Sequence, residues 1–248
     1  MAFSRRHLLQ AAGVVAGGLV LPKLSGTAAQ AAGATDSKLA KDLTVCSPPT
    51  DPLAELLRRN GKFSKAWQQA VSAPTASQRM ELTKSIFAAG CQINPAALAE
   101  GQKPWAALLS CADARVAPEW IFAAGSGELF QVRAAGNTAF DDAIASMEYA
   151  VAVLGVPLIL VMGHSACGAV KAAMAADPLT PLLEGLVKPI RNSLKPGDDL
   201  TKAIQGNALY SAAALTQRSD VLKKAQASGK VAIKSAYFDI GTGKVTII

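Results

Sequence analysis

Two short clusters hold the side chains best suited to chemistry. The first, Cys111-Ala112-Asp113-Ala114-Arg115, directly follows the apolar run 106–110. The second, His164-Ser165-Ala166-Cys167-Gly168, follows 157–162, the most strand-like run in the chain. Two thiolates and one imidazole form a soft-to-borderline donor set that suits Zn²⁺. The His-x-x-Cys spacing lets both donors face one ion from a turn or a first helical turn. Three protein donors leave a fourth position, the mark of a catalytic rather than a closed structural zinc site. Taken singly, Cys111 reads as a small buried hydrophobe and His164 as a hydrogen-bonded core histidine. The set also admits a Cys–His thiol nucleophile. His164 is the only histidine besides His7, and its place beyond a core strand, three residues from a cysteine, favours the metal. Asp113 and Arg115 stand two apart. Beside a metal such a carboxylate serves as ligand, as acceptor for a water, or as partner of Arg115, whose forked donors orient it and lower its pKa. The plain alternative is a surface ion pair worth under ~1 kcal/mol.

Both clusters need a scaffold that brings them together. Residues 106–110, 128–132 and 157–162 are short apolar runs of strand length. Between the last two, residues 141–154 are Ala-rich with Ile144, Met147, Tyr149 and Val151, and Asp141-Asp142 suit a helix start. Strand–helix–strand alternation predicts a βαβ core with parallel strands. In open sheets of this kind ligands bind beyond the carboxyl ends of strands, so both clusters point to one edge. Residues 169–176 continue as a helix, followed by a helical stretch to Ser193. Pro196-Gly197-Asp198-Asp199 then breaks the chain and starts another helix toward Ala227. Residues 230–238 and 245–248 read as strands joined by Gly241-Thr242-Gly243. Upstream, residues 52–73 place Leu53, Leu56, Leu57, Phe63, Ala66, Trp67 and Ala70 at helical spacing. There Asn60-Gly61 predicts a break into two short helices. Residues 76–89 read as a third helix. The fold class is α/β: a mostly parallel central sheet flanked by helices, with an N-terminal helical arm.

Composition narrows the function. The chain has 248 residues, 50% of them hydrophobic and 17% charged. That supports a large core and argues against a disordered or nucleic-acid-coating protein. The net charge is +7, and Arg5, Arg6 and Lys23 precede the first acidic residue, Asp36. No Lys/Arg block with interleaved aromatics marks a nucleic-acid surface. Ser4-Arg5-Arg6-His7-Leu8-Leu9 before the apolar run 11–21, with Ala29-Gln30-Ala31 after it, resembles a twin-arginine (Tat) signal peptide. The Gly-rich run falls short of the ~20 apolar residues of a membrane span, so no stable anchor is expected. The organisation is then signal peptide 1–31, flexible segment 32–50, and one domain 51–248 with its helical arm at 51–90, delivered to the periplasm or another extracytoplasmic compartment. Cys46 and Cys91 remain after the metal donors. In an oxidising compartment they form a disulfide or stay as two buried thiols.

The linked motifs Cys-x-Asp-x-Arg and His-x-x-Cys-Gly resemble the β-class carbonic anhydrases. The similarity extends to Gly101-Gln102-Lys103-Pro104, Pro118-Glu119-Trp120-Ile121-Phe122, Gly127-Glu128-Leu129-Phe130, Val132-Arg133, Glu148-Tyr149-Ala150-Val151 and 237–243, so it runs from about Asn94 to the C-terminus. The resemblance implies reversible hydration of CO₂ to bicarbonate and a proton, with Cys111, His164 and Cys167 on Zn²⁺ and with Asp113 and Arg115 catalytic. It implies substrate positioning by Gln102. It implies a homodimer or tetramer, with the arm's Leu56, Leu57, Phe63 and Trp67 embracing a second subunit. In members that close the site, Asp113 would ligate zinc at low pH, and Val116, Arg133 and Tyr149 match an inhibitory bicarbonate site. Gln102, and Leu108 in place of a bulky aromatic, match the open members. The family's two intervening serines are here Ala112 and Ala114, which removes two hydroxyls beside the ligands. A hydrolase of CS₂ or COS with the same zinc site, and a zinc module with Asp113 as permanent fourth ligand, are the competing readings.

Overall fold

β1 (Ala106–Cys111), β2 (Leu129–Ala134), β3 (Leu158–His164), β4 (Ala232–Asp239) and β5 (Lys244–Ile247) pair into one sheet in the order β2-β1-β3-β4-β5. The first four run parallel and β5 returns antiparallel at the edge. β1 and β3 bury every residue, as uniformly apolar strands covered on both faces must. The structure, a computed structural model, describes residues 48–88, 95–175 and 177–248. The leader, most of the segment 32–50, Cys46 and Cys91 lie outside the described residues, as does the predicted disulfide.

Alternation along the strands divides the core. Leu108, Leu160 and Met162 face α1 (Pro52–Ser72), α2 (Ala76–Ala88) and α4 (Pro118–Ile121). Leu109, Ile159 and Val161 face α5 (Asp141–Ala152), α8 (Leu200–Arg218) and α9 (Asp220–Ala227). A third cluster caps the carboxyl ends of the strands, where α6 (Gly168–Met174), α7 (Pro181–Ser193) and α8 gather around Cys111 and Cys167. A short helix α3 (Pro95–Glu100) precedes β1. The stretch expected as one helix toward Ala227 is two, divided at Ser219, whose hydroxyl caps α9 by accepting from Leu222 N.

The arm departs most from expectation. α1 is one helix of 21 residues, started by the Asp51 cap and Pro52 and not broken at Asn60-Gly61. Asn60 is buried and used inside the fold. Its Nδ2 donates to Ile121 O (3.3 Å) and Gly243 O (2.9 Å), and its Oδ1 accepts from Val245 N (2.8 Å). These tertiary bonds outweigh the Asn-Gly turn signal, and Gly61 costs only its helix propensity of about 1 kcal/mol. One turn on, Ser64 Oγ and Trp67 Nε1 donate to Thr242 O and Ile240 O. The helix comes so close that a Cβ on Gly243 (φ +69°) would lie 3.0 Å from Trp67 Cβ. Arg59 adds a forked pair to Glu128 (2.9 and 3.0 Å), which also accepts from Trp105 Nε1 and Gly125 N. Leu56 and Phe63 are therefore buried in the chain's own core. They do not offer an embracing face to a second subunit, as the resemblance had implied.

Candidate metal centre

β1 passes to β2 on one side, and β3 passes to β4 on the other, so the strand order reverses between β1 and β3. A crevice opens at such a switch point. Cys111 is the last residue of β1, and His164 the last of the neighbouring β3. Beyond His164 the chain turns through Ala166, whose φ of +57° is in the left-handed region, and Cys167 becomes the residue before α6. This turn brings Cys167 back to the strand ends. Ligand atoms of Cys111, His164 and Cys167 lie within 4.8 Å of one another, and all three residues are buried.

Their surroundings fit a cation. His164 Nδ1 contacts Ser165 O at 3.0 Å. A carbonyl only accepts, so Nδ1 is the donor in this contact and Nε2 is the ring nitrogen left to meet a metal. Nε2 is buried without a hydrogen-bond partner, which native interiors rarely tolerate unless a ligand is to be met there. Cys111 Sγ accepts from Gly136 N at 3.3 Å. The hydrogen bond from Cys167 holds the Cys111 thiol well below its ordinary range, against burial. The same bond, followed by burial, pushes the Cys167 thiol up. A soft dication bound between the two sulfurs displaces thiol protons.

Asp113 is held by Arg115. Its Oδ1 accepts from Arg115 N and Nε (both 2.9 Å), and its Oδ2 from Nη2 (2.7 Å). Chiefly through the Arg115 side chain, the carboxyl is held well below the usual carboxylate range. Oδ2 nonetheless stands 3.8 Å from His164 Nε2. Arg115 Nη2 also reaches Ala166 O at 3.4 Å, which ties the two clusters together.

Of the remaining predicted residues, Val116 and Arg133 meet. Arg133 Nη2 donates to Val116 O (2.6 Å) and Asp113 O (3.0 Å), and its Nε to Cys111 O (3.2 Å). Arg133 thus braces the ligand loop through its carbonyls. Tyr149 does not join them. Its ring lies against Phe130, and Phe130 leaves β2 on the α5 face, opposite Arg133 by strand alternation. Gln102 is exposed ahead of β1. The six residues of β1, at about 3.3 Å each, separate it from Cys111. Sequence reasoning missed Gly136 and Ser165, which hold Cys111 and His164 through backbone groups and so carry no side-chain signature.

Carboxyl-end thiolate and imidazole donors on a parallel sheet define a class of α/β metalloenzyme. The pattern of one family, carbonic anhydrase, matches residues 106–245, and the chain belongs to that family. Carbonic anhydrase 2 of Mycobacterium tuberculosis is 38% identical over 161 residues, covering 61% of this chain and 78% of the relative. The carbonic anhydrase of Mycolicibacterium smegmatis is 34% identical over 177 residues, 65% and 86% of the two chains. Among solved structures, the β-carbonic anhydrase CafA of Aspergillus fumigatus superposes with a TM-score of 0.55 at 28% identity, covering 62% of this chain and 79% of that one. The fold is that of the β class.

Proposed function

We propose that this chain is a zinc-dependent β-carbonic anhydrase that interconverts CO₂ and bicarbonate. The carrying observation is the buried triangle of Cys111, His164 and Cys167, whose imidazole Nε2 is aimed inward without a partner. The three side chains would hold Zn²⁺. Bound there, the ion supplies Lewis acidity that makes water acidic enough to yield hydroxide near neutral pH. Asp113 Oδ2, on the rim at 3.8 Å from His164 Nε2, accepts a hydrogen bond from a water in the crevice and orients it. Arg115 keeps that carboxylate ionised and fixed. No side chain is assigned the onward proton transfer, which passes to water or buffer.

The Arg115 fork also favours an open site. Asp113 spends both oxygens on Arg115, so it would become a fourth ligand only by giving up that pair. An open site gives a shallow, single-ionisation pH–rate profile with no bicarbonate inhibition beyond product competition. A steep cooperative rise opposed by bicarbonate marks a closing one, in which Val116, Arg133 and Tyr149 would be tested as the inhibitory site. The carbonic anhydrase relatives do not favour CS₂ or COS as substrate. Stopped-flow CO₂ hydration with and without chelator tests the function: activity lost on chelation and restored by Zn²⁺ supports it. A zinc-loaded chain inactive at every pH refutes it in favour of a non-catalytic module.

Self-association and export complete the proposal. Trp67, Val71 and Met80 leave large apolar area exposed on α1 and α2, and Gln102, exposed ahead of β1, would be presented to a neighbouring copy. Light scattering reporting dimers or tetramers supports this, and a monomer at working concentration refutes it. Arg5 and Arg6 changed together to Lys would trap an exported precursor in the cytoplasm; processed periplasmic protein from that variant rules out the Tat route. Among the described residues no helix is long and apolar enough to cross a membrane.

A further inference from the structure

A buried amide stands one step behind the metal centre. Asn207, on α8, is fully buried. One half of its amide donates to Gly136 O at 2.6 Å, and the other half, Oδ1, has no partner. The amide orientation is fixed, because a carbonyl accepts only from the NH₂ end. A half-satisfied amide in the core is less stable than an apolar residue of the same shape, so packing alone does not explain it.

What Asn207 holds is the turn that contacts a ligand. Gly136 lies in the 3₁₀ turn Ala135–Asn137 with φ +76°, and Asn137 follows at φ +46°. Two successive left-handed residues, one of them not glycine, are a costly conformation that needs outside support. No side chain fits at Gly136, since a Cβ would lie 2.6 Å from Ile190 Cδ1 and 3.2 Å from Ala169 Cβ. In this geometry the Gly136 N–H points at Cys111 Sγ (3.3 Å). The same helix also packs on the strand of the second ligand: a Cβ on Gly163, the residue before His164, would lie 2.9 Å from Ile204 Cγ2. α8 therefore touches the backbone beside both Cys111 and His164.

We propose that Asn207 is a positioning residue for the metal centre: by anchoring Gly136 O, it aims the Gly136 N–H at the Cys111 sulfur and so fixes that donor for zinc. An N–H donated to a thiolate spreads its charge and sets its direction, and partners behind metal ligands are typically worth about 10- to 100-fold in metal affinity. The inference rests on the zinc reading above and deepens it.

The test is zinc affinity by chelator competition in wild type, Asn207→Leu and Asn207→Ser, with circular dichroism of the metal-free proteins and the thiolate-to-cobalt absorption band of the Co²⁺ forms. Asn207→Leu keeps the branched shape without the donor. The expected result is a native fold, zinc affinity lowered about 10- to 100-fold, and a shifted cobalt band, with Asn207→Ser likewise weakened. Folded variants with wild-type affinity and band overturn the proposal. If both variants unfold, ¹¹³Cd-loaded wild type decides: scalar coupling between ¹¹³Cd and the Gly136 amide proton supports the contact, and its absence overturns it. Wild type failing to bind zinc would instead sink the metal reading itself.

Discussion

The arm and the metal face bury polar groups in opposite ways. Where α1 packs on the domain, Arg59, Asn60 and Glu128 are buried and each is held by several partners. At the strand ends the pattern reverses. Of the five buried side-chain polar atoms without a partner among the described residues, one belongs to His164, one to Ser110 beside Cys111, and two to Asn137 and Asn207, which adjoin or bond Gly136; the fifth is on Gln131 of β2. A region built for stability satisfies its polar atoms; a region built to bind leaves some waiting. Substitutions on the two sides are therefore expected to separate, one set moving stability and the other chemistry.

The largest effect falls on the metal side. Asp113→Asn keeps the shape but loses the anionic acceptor, and CO₂ hydration falls about 10²- to 10⁴-fold while zinc content stays at wild type. Stopped-flow rates beside metal analysis check both halves; a variant that loses its zinc would make Asp113 a ligand rather than an acceptor. Next comes Glu128→Ala on the arm side, which removes the forked acceptor of Arg59, leaves it only Glu55 as a carboxylate partner, strands Trp105 Nε1, and lowers unfolding free energy by about 3 kcal/mol. Denaturant titration measures that loss, and zinc in the folded fraction is expected unchanged. Asn60→Ala is smaller. It strands Val245 N–H and two carbonyls for about 1–3 kcal/mol, again without change in the rate per folded molecule.

The smallest effect is a pH dependence. Arg58, and then Arg59 against burial, lower the Glu55 carboxyl from 4.5 to about 2. A depressed folded value means that the stability it contributes is fully present above pH 4.5 and fades as pH falls toward 2. Between pH 5 and 3 the wild type is expected to lose stability more steeply than Glu55→Gln. Parallel slopes for the two proteins would remove Glu55 from the arm's acid response.

The same contrast governs what the sequence could disclose. The ligands were legible because Cys111 and the His164–Cys167 pair each follow an apolar run short enough to be a strand, and parallel strands send their ends to one edge. The sheet followed from those runs and from the Asp141 helix between them. The unbroken α1 was not legible: Asn60-Gly61 reads locally as a turn, and only the distant carbonyls of Ile121 and Gly243 make Asn60 a helical residue. Nor was the use of Leu56 and Phe63, since spacing shows an apolar stripe but not what covers it. Gly136, Ser165 and Asn207 were hidden for a third reason. Gly136 and Ser165 act through their own backbone groups and Asn207 through the Gly136 carbonyl it holds, and those positions exist only in the folded chain.

The claim that matters most is that Cys111, His164 and Cys167 together hold one zinc. Metal analysis of the purified wild type beside Cys111→Ser, His164→Ala and Cys167→Ser tests it directly. One zinc per wild-type chain, with stoichiometric zinc and activity lost in each variant, is the predicted result. Full zinc in any one variant would remove that residue from the site and contradict the three-donor centre.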